Sequence, residues 1–312
     1  MLAVIFPGQG SQTIGMAKDF YDNFNIVKKT FSEIGDSTKI DLHKLIFEDP
    51  DKKLNITEFT QISIYCVSIS IFLLIKELYK EKFLNKIDFM AGHSLGEYSA
   101  LSASNSLSLN NCANILKLRG QYMQNSYPQN QSGMLAVIGL EISKIEEILL
   151  NLDEKDKFVI ANDNAPGQVV ISLAKENFDY ISEQLKSFGA KKTIPLNVSS
   201  GFHSSFMRKA EKEMIHKLEN LDINDSEYTI VSNYNVQPVR KKNEIIDNLK
   251  KQITNRVRWV ETIKYFESKN VNTIIEIGPN KILNGLNKRI SSNFTLINVS
   301  NINELENLKN DI

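Results

Sequence analysis

The sequence predicts an α/β protein with a mostly parallel sheet and a smaller inserted unit. Short apolar runs alternate with helical patterns along most of the 312 residues, which is typical of a parallel sheet with crossover helices. Between residues 128 and 197 the order changes to strand, helix, strand, strand, helix, strand, which is the ferredoxin-like signature. We therefore expect a large α/β domain formed by residues 1–127 and 198–312, and a small ferredoxin-like domain formed by residues 128–197.

The first elements follow from where the apolar runs begin and end. Residues 4–6 form an apolar run that Pro7-Gly8-Gln9-Gly10 ends, which indicates a buried strand and then a loop. Helical patterns continue to about residue 80. Their most apolar stretch, residues 62–75, is shorter than a membrane span and predicts a buried core helix. Ile87–Gly92 is predicted as a strand and Leu95–Ala103 as the helix packed behind it.

A helical pattern over residues 108–127 places Arg119 on an apolar stripe with Cys112 and Met123. A cation on an apolar face needs a partner, because burying an unpaired charge is very costly. The alternative is that the side chain extends to solvent and buries only its stem. Arg119 is thus a candidate functional residue whose partner the pattern alone does not name.

The inserted unit and the remainder of the chain follow the same reasoning. Ser143 and Glu146 have the spacing of a capping box at the start of a helix. In the insertion we predict strands at 134–140, 158–162, 169–173 and 191–196, and helices at 143–150 and 175–188. Beyond it we predict a helix at 205–218, a strand at 228–232, helices to about 268, a strand at Thr273–Ile277 and a helix at 281–290.

Composition excludes several classes of protein. The 37 Lys and Arg residues balance the 37 Asp and Glu residues, and this zero net charge argues against broad nucleic-acid binding. Cys66 and Cys112 lie far apart in apolar surroundings, so we expect reduced thiols and a cytoplasmic protein. The N-terminus lacks the basic start of a signal peptide. Four scattered histidines and two separated cysteines lack the spacing of metal ligands, so we expect no metal site.

The segment Gly92-His93-Ser94-Leu95-Gly96 matches the G-x-S-x-G nucleophile elbow. Glycines on both sides allow a sharp turn that presents the serine hydroxyl at the start of the following helix. The predicted strand before it and helix after it are the required context. A serine hydroxyl needs a base, and His203 lies in a small-residue loop from which a side chain can reach a cleft. A capping or surface role is the alternative for His203.

Other motifs stand in a fixed order along the chain. They are Phe6-Pro7-Gly8-Gln9-Gly10-Ser11-Gln12, Arg119-Gly120 followed by Met123-Gln124, Asn164-Ala165-Pro166-Gly167-Gln168, Phe202-His203-Ser204, Gln252 before Trp259, and Glu276-Ile277-Gly278-Pro279. Together with the elbow they resemble the malonyl-CoA:acyl carrier protein transacylase family over essentially the whole chain. The large domain is accordingly expected to be α/β-hydrolase-like.

This resemblance implies a ping-pong acyl transfer in fatty acid synthesis. It implies Ser94 as the nucleophile, which becomes a malonyl ester, and His203 as the general base. The oxyanion hole would use the backbone amides of Gln9 and Leu95. Malonyl-CoA is then a substrate, and no permanently bound cofactor is expected.

The resemblance also implies roles in substrate binding. Arg119 would pair with the free carboxylate of malonate, since a guanidinium can make two parallel hydrogen bonds to it. Phe202 matches the form associated with malonyl over methylmalonyl selection, although a plain core phenylalanine is the alternative. The backbone carbonyl of Gln252 would orient His203. The loop from Asn162 to Gln168 would line the pantetheine channel, or serve the loop structure alone.

One local departure from the family pattern concerns the segment after Gln252. Arg256 stands where the family commonly has a proline, which leaves the geometry of this loop open.

The expected partner is an acyl carrier protein, which is acidic and should dock transiently on a basic patch. The candidate residues are Lys191, Lys192, Lys288 and Arg289. Three alternatives stay open: a serine esterase or thioesterase of α/β-hydrolase type, with Asp163 or Asp179 as the acid; a non-catalytic module that binds carrier proteins; and a transacylase of polyketide assembly.

Overall fold

Ten strands in two sheets run through the part of the chain that the computed structural model describes, residues 1–153 and 157–311. The strands are β1 (Leu2–Phe6), β2 (Ile87–Gly92), β3 (Ser132–Ile138), β4 (Val159–Ala165), β5 (Gln168–Ala174), β6 (Lys192–Pro195), β7 (Thr229–Val231), β8 (Pro238–Val239), β9 (Thr273–Ile277) and β10 (Thr295–Val299). The helices are α1 (Lys18–Asn23), α2 (Asn25–Thr38), α3 (Leu42–Phe47), α4 (Thr57–Leu84), α5 (Leu95–Ala103), α6 (Leu109–Gln124), α7 (Ile142–Leu150), α8 (Phe178–Ser187), α9 (Arg208–Glu219), α10 (Lys242–Gln252), α11 (Trp259–Ser268), α12 (Ile282–Ile290) and α13 (Ile302–Asp311).

The larger sheet has the strand order β10-β9-β1-β2-β7-β8. Its neighbours pair in parallel from β10 through β7, and β8 runs antiparallel to β7. Parallel strands need long crossover connections, which the intervening helices provide. The predicted α/β class with a mostly parallel sheet is therefore confirmed.

The smaller sheet is antiparallel and has the order β4-β5-β3-β6. Its strands follow one another along the chain as β3-α7-β4-β5-α8-β6, between β2 and β7 of the larger sheet. One face of this sheet is covered by α7 and α8 through a separate apolar cluster. The other face contributes Met134, Ala136 and Val170 to the main core.

Strand β1 shows why the larger sheet is covered on both faces. Leu2, Val4 and Phe6 belong to one apolar cluster, and Ala3 and Ile5 belong to a second cluster on the opposite face. Successive side chains of a strand point to opposite faces, so a strand without polar residues must lie between two layers. Helices make up most of both layers, and strands of the smaller sheet also contribute to each.

Helix α4 packs in the main core and contains the apolar stretch 62–75 that was predicted as a core helix. Lys80, with φ 44° and ψ −134°, interrupts the helix at about the residue where the helical patterns were predicted to end. By length and composition alone it could cross a membrane, yet 83% of its most apolar window is buried inside the fold. Such burial is that of a core helix.

The capping box predicted for α7 is wrong. The helix starts at Ile142 with Glu141 as its N-cap, and no side chain caps it. Ser143 therefore lies within the first turn, whereas a capping residue needs non-helical backbone angles. Glu146 bonds Arg256 instead, with 3.0 Å between Oε1 and Nη1.

The sequence interpretation also missed β8, β10 and α13. Strand β8 has two residues, too few for a periodic pattern. Strand β10 lies at the sheet edge and buries only Val299 fully, so the continuous apolar run that marks a central parallel strand is absent.

Gly120 lets helices α4 and α6 approach closely beside Arg119. A Cβ atom built on Gly120 would lie 2.7 Å from Glu58 Cα and 2.9 Å from the carbonyl oxygen of Thr57. Backbone atoms cannot move aside as the end of a flexible side chain can. The close packing of the two helices therefore depends on glycine at this position.

We expect Gly120→Ala to lower the free energy of unfolding by about 1–3 kcal/mol through overpacking. The matched control is Gly285→Ala in α12, where a Cβ atom meets nothing within 4 Å. Alanine is favoured over glycine inside helices by about 1 kcal/mol, so the control should become more stable. Denaturant unfolding of both variants measures the two effects, and a Gly120→Ala protein as stable as the wild type would contradict the close packing.

Candidate active site

The turn around Ser94 joins β2 to α5 as the sequence predicts. Ser94 has φ 53° and ψ −107°, a strained conformation for a residue with a side chain. A Cβ atom on Gly92 would lie 2.0 Å from the backbone of Gly96, so the turn has no room for a side chain there. This is the geometry of a nucleophile elbow.

The loop after β1 lies directly against this turn. A Cβ atom on Gly96 would be 2.2 Å from the carbonyl oxygen of Phe6, and one on Gly8 would be 2.5 Å from that of His93. The backbone N–H of His93 donates to the Phe6 carbonyl over 3.0 Å. Glycines on both segments thus allow backbone to approach backbone.

Two backbone donors, one in the loop after β1 and one at the start of α5, are free within the described residues. Neither the N–H of Gln9 nor the N–H of Leu95 has an acceptor there. Leu95 is the first residue of α5, where N–H groups lack an intrahelical partner and carry partial positive charge. The two amides that the sequence singled out are therefore available to an incoming oxygen.

His203 lies buried beside the serine, with Nε2 at 2.9 Å from Ser94 Oγ. Its Nδ1 lies 2.9 Å from the carbonyl oxygen of Gln252 and 3.2 Å from that of Asn255. Because a carbonyl oxygen can only accept, Nδ1 carries the proton and Nε2 presents its lone pair to the serine hydroxyl. Burial, assisted by the positive charge of Arg119, lowers the pKa of His203 to about 3. The imidazole is thus neutral at physiological pH.

The orienting group of His203 is a backbone carbonyl rather than a carboxylate. Asp163 lies on β4 and Asp179 on α8, and neither carboxylate is a partner of Nδ1. The acid that a hydrolase triad would use is thus not at this position among the described residues.

Arg119 is 1% exposed, so the alternative that its side chain extends to solvent is wrong. Its Nη2 donates to Ser94 Oγ over 3.0 Å and to Gln252 Oε1 over 2.9 Å. Its Nη1 donates to Gln61 Oε1 over 2.7 Å, and Cζ stands 5.4 Å from the ring centre of Tyr98. Among the described residues Nε has no partner and no carboxylate pairs with the guanidinium.

Two buried residues that the sequence analysis missed, Glu97 and Asn233, hold the turn in place. Asn233 accepts the N–H of Ser94 at Oδ1 over 2.7 Å and donates from Nδ2 to the Gly92 carbonyl over 2.7 Å. Glu97 Oε2 accepts the N–H of Asn233 over 3.1 Å and Nε2 of Gln252 over 2.7 Å. A carboxylate within the tightly packed helix after the serine was a readable signal for Glu97. Asn233 had none beyond following a predicted strand.

Phe202 precedes His203 and packs into the main core with 5% of its surface exposed. Its carbonyl accepts a hydrogen bond from Ser172 Oγ over 2.6 Å, which ties the start of this loop to β5. The side chain is thus held rigidly next to the histidine.

Asn162 lies in β4, as the strand predicted over 158–162 has it, but the loop predicted from 162 to 168 is wrong for most of its length. Strand β4 continues to Ala165 and β5 begins at Gln168, which leaves a two-residue turn. Asn162 is 6% exposed and forms an isolated β-bridge with Val257, which lies between α10 and α11. Two positions on, Asn164 Oδ1 lies 2.8 Å from His93 Nε2, so β4 reaches the elbow.

The segment that orients His203 is held by the small sheet. Val257 donates its N–H to the carbonyl of Ala161 over 2.8 Å and accepts that of Asp163 over 3.0 Å. Arg256, which stands in the place of the family's usual proline, pairs with Glu146 of α7 over 3.0 Å. An ion pair and two backbone hydrogen bonds therefore hold this loop in a defined geometry.

The four basic residues proposed for carrier docking lie in two parts of the fold and are all exposed. Lys191 and Lys192 stand at the start of β6, and Lys288 and Arg289 near the end of α12. Arg289 bonds the carbonyl of Pro166 over 2.6 Å and the side chain of Gln168. Gln168 and Lys192 both pair with Ile138 of β3, so they lie on one row of the sheet.

Within residues 1–153 and 157–311, no three His, Cys, Asp or Glu side chains are grouped as metal ligands. Cys66 and Cys112 are free and buried. Burial raises the pKa of both thiols, which keeps them protonated and unreactive.

Comparisons with known proteins give the family of the chain. A family model described as acyl transferase domain matches residues 4–300. The malonyl CoA-acyl carrier protein transacylase of Staphylococcus aureus (strain MRSA252) is 36% identical over 305 residues, covering 97% of each chain. A crystal structure of an acyl-carrier-protein-S-malonyltransferase from Bartonella henselae is 36% identical, with a TM-score of 0.95 over 99% of this chain and 98% of that one.

A further similar structure includes a partner. It is a type II PKS acyl-carrier protein in complex with its malonyl-transacylase. The matched chain is 32% identical to this one, with a TM-score of 0.94 over 100% of this chain and 99% of that chain. Family model, full-length identity and fold all agree, and the chain belongs to the malonyl CoA-acyl carrier protein transacylases of the acyl transferase family.

Proposed function

We propose that this protein transfers the malonyl group of malonyl-CoA to the phosphopantetheine thiol of an acyl carrier protein, through a malonyl ester of Ser94, in fatty acid synthesis. One observation carries the proposal: the half-buried hydroxyl of Ser94 lies 2.9 Å from His203 Nε2 and 3.0 Å from Arg119 Nη2. A neutral base activates the serine, and a cation beside it suits an acyl group that bears a carboxylate.

In the first half-reaction His203 takes the proton of Ser94 as the oxygen attacks the thioester carbon of malonyl-CoA. The backbone amides of Gln9 and Leu95 stabilise the oxyanion, each contributing about 3 kcal/mol to lowering the barrier. Collapse of the intermediate breaks the carbon–sulfur bond. The CoA thiolate leaves with the proton from His203, and Ser94 carries the malonyl ester.

In the second half-reaction the carrier's thiol replaces CoA. His203 takes the thiol proton, the sulfur attacks the ester carbon, and the same two amides bind the oxyanion. Ser94 Oγ then leaves and regains the proton from His203. The carbonyl of Gln252 keeps the imidazole in the required tautomer through both halves.

Arg119 supplies the selection of the acyl group in this proposal. The malonyl carboxylate becomes a charged acceptor beside the same Nη2 that bonds the serine hydroxyl. Acetyl-CoA would leave the guanidinium unpaired in a dry site, which lowers its reactivity. We assign to the rigid ring of Phe202 the crowding of an α-methyl group, worth about 1–3 kcal/mol, and to Asn162 a place along the pantetheine.

Hydrolysis of the ester is the main competing activity. The carbonyl partners of His203 and the lack of an acid beside it, within the described residues, favour the transferase over an esterase or thioesterase. A purely carrier-binding module would have no use for the bonds that Ser94, His203 and Arg119 share. Polyketide assembly is the second pathway, and the structure of a similar transacylase with a type II PKS carrier favours it as the alternative.

We assign carrier docking to the basic patch of Lys191, Lys192, Lys288 and Arg289. The exposure of all four and the row that joins β6 to the end of α12 support this assignment. Since Arg289 already bonds the β4–β5 turn, Lys192 and Lys288 are the members most available to an acidic partner.

The finer organisation of the chain follows from the same contacts. We propose that residues 128–197 form a small ferredoxin-like domain and that residues 1–127 and 198–312 form an α/β-hydrolase-like domain. The order β4-β5-β3-β6 and the separate apolar cluster under α7 and α8 support this division. The free, buried thiols suit a cytoplasmic protein. The proposed acyl transfer uses side chains, backbone amides and the two substrates, without a permanently bound cofactor.

Formation of an acyl-enzyme tests the role of Ser94. Malonyl-CoA without carrier protein should add one malonyl mass to the wild type, and Ser94→Ala should abolish the addition. Intact-protein mass spectrometry with peptide mapping measures both. Rapid release of free malonate without carrier would favour the hydrolase, and a label on any residue other than Ser94 would contradict the assignment.

The pH dependence of acylation tests His203. Since burial and Arg119 lower its pKa to about 3, the base stays unprotonated in mild acid. The second-order acylation rate should therefore lack the acid limb near pH 6.5 that an ordinary histidine gives. Arg119→Ala removes a positive charge and should move the acid limb to higher pH. Stopped-flow acylation by one acyl donor gives both profiles, and a limb that moves to lower pH in Arg119→Ala would refute the electrostatic coupling.

The docking patch predicts a selective loss of carrier affinity. Lys192→Glu with Lys288→Glu should raise KM for the carrier protein about 10-fold and leave KM for malonyl-CoA unchanged. Lys29→Glu on α2 is the control, because it makes the same charge change as each of the two substitutions, at an exposed site of another element. Equal effects on both substrates, or an equal effect of the control, would overturn the assignment of the patch.

A further inference from the structure

The side-chain amide of Gln252 lies at the centre of a buried hydrogen-bond chain. Its Oε1 accepts Arg119 Nη2 over 2.9 Å, while its Nε2 donates to Glu97 Oε2 over 2.7 Å and to the Ser94 carbonyl over 3.0 Å. Gln252 is 0% exposed and Glu97 is 2% exposed. The chain therefore links a buried cation to a buried carboxylate through one amide, out of contact with water.

The orientation of that amide follows from the chemistry of its neighbours. A guanidinium can only donate, and a carbonyl or ionised carboxylate can only accept. With the amide turned over, its oxygen would face two acceptors and its nitrogen would face a donor. All three hydrogen bonds would be lost in a buried place, where each unsatisfied polar group is costly.

The charge of Glu97 also acts on Arg119. Burial raises the pKa of Glu97, and hydrogen bonds from Gln252 and Asn233 together with the positive charge of Arg119 act against this rise. Burial lowers the pKa of Arg119, and the charge of Glu97 is among the effects that oppose it. The two groups thus favour each other's ionised form without direct contact.

We propose that Glu97 is a positioning residue for malonyl selection: its carboxylate fixes the Gln252 amide, and the amide fixes the guanidinium of Arg119 beside Ser94. The same carboxylate oxygen accepts the N–H of Asn233. The side chain of Asn233 in turn bonds the Gly92 carbonyl and the Ser94 N–H within the elbow. One buried carboxylate thus fixes the positions of Ser94 and Arg119 relative to each other. The proposal rests on the proposed function, in which Arg119 binds the malonyl carboxylate.

The test compares acylation of Ser94 by malonyl-CoA and by acetyl-CoA. Glu97→Gln keeps the shape of the side chain but removes its charge. The new side-chain amide can donate as well as accept hydrogen bonds, so it no longer fixes the orientation of the Gln252 amide. The ratio of the malonyl rate to the acetyl rate should fall about 10-fold or more, the size expected when a hydrogen bond to a charged group is weakened. A merely structural role would lower both rates together and leave the ratio unchanged, which would overturn the proposal.

A double-mutant cycle with Gln252→Met tests the relay itself. Methionine removes the side-chain amide but keeps the backbone carbonyl that holds His203. If Glu97 acts through this amide, Glu97→Gln should lower the ratio in the wild type and have no further effect in Gln252→Met. An equal effect in both backgrounds would refute the relay. If Glu97→Gln fails to fold, Gln252→Met alone must lower the ratio, and a wild-type ratio there would refute the relay as well.

Two controls separate the possible failures. Glu276→Gln is matched, because Glu276 is also a buried carboxylate that accepts two N–H groups, those of Leu283 and Asn284, and it should leave the ratio unchanged. Arg119→Ala tests the proposed function directly. If Arg119→Ala keeps the malonyl preference, the proposed function is wrong. If Arg119→Ala loses it while Glu97→Gln keeps it, only the role of Glu97 is wrong.

Discussion

The burial of one positive charge beside the serine determines how the rest of the site is built. Arg119 is 1% exposed and has no carboxylate in contact among the described residues, so neutral acceptors must satisfy it. Gln61, Gln252 and the hydroxyl of Ser94 supply them. The same charge helps to keep His203 neutral. A cation that is only partly balanced thus prepares both the binding of an anionic acyl group and the proton acceptor for its transfer.

Strain and close approach are the second requirement. Ser94 keeps an unfavourable backbone conformation, and such strain persists only where the surroundings determine it. Here Asn233 bonds the Gly92 carbonyl and the Ser94 N–H, on either side of His93, and the backbone of Phe6 packs against the following helix at Gly96. The N–H groups of Gln9 and Leu95 have no acceptor among the described residues, and the two segments that carry them meet in this packing.

The sequence reveals the parts of the site that local chemistry specifies. Ser94 between two glycines, His203 in a small-residue loop and Arg119 on an apolar stripe were all legible, and the structure brings their side chains together. Strands buried on both faces, such as β1, were equally clear. Asn233 could not be found, because its role depends on β7 lying next to β2 in the sheet. The edge strand β10 lacks a full apolar run. The false capping box at Ser143 shows that a matching motif does not by itself locate the start of a helix.

The hydrogen bonds between β4 and the segment at Val257 limit how the smaller sheet can change in evolution. They fix the register of Ala161 and Asp163 against the loop that carries the orienting carbonyls, and Asn164 follows at once with its bond to His93. Adding or removing one residue between Ala161 and Asn164 would displace one of these bonds unless the strand formed a further bulge, as it does between Ile160 and Asn162. The length of this stretch is therefore constrained, although β4 supplies neither the nucleophile nor the base.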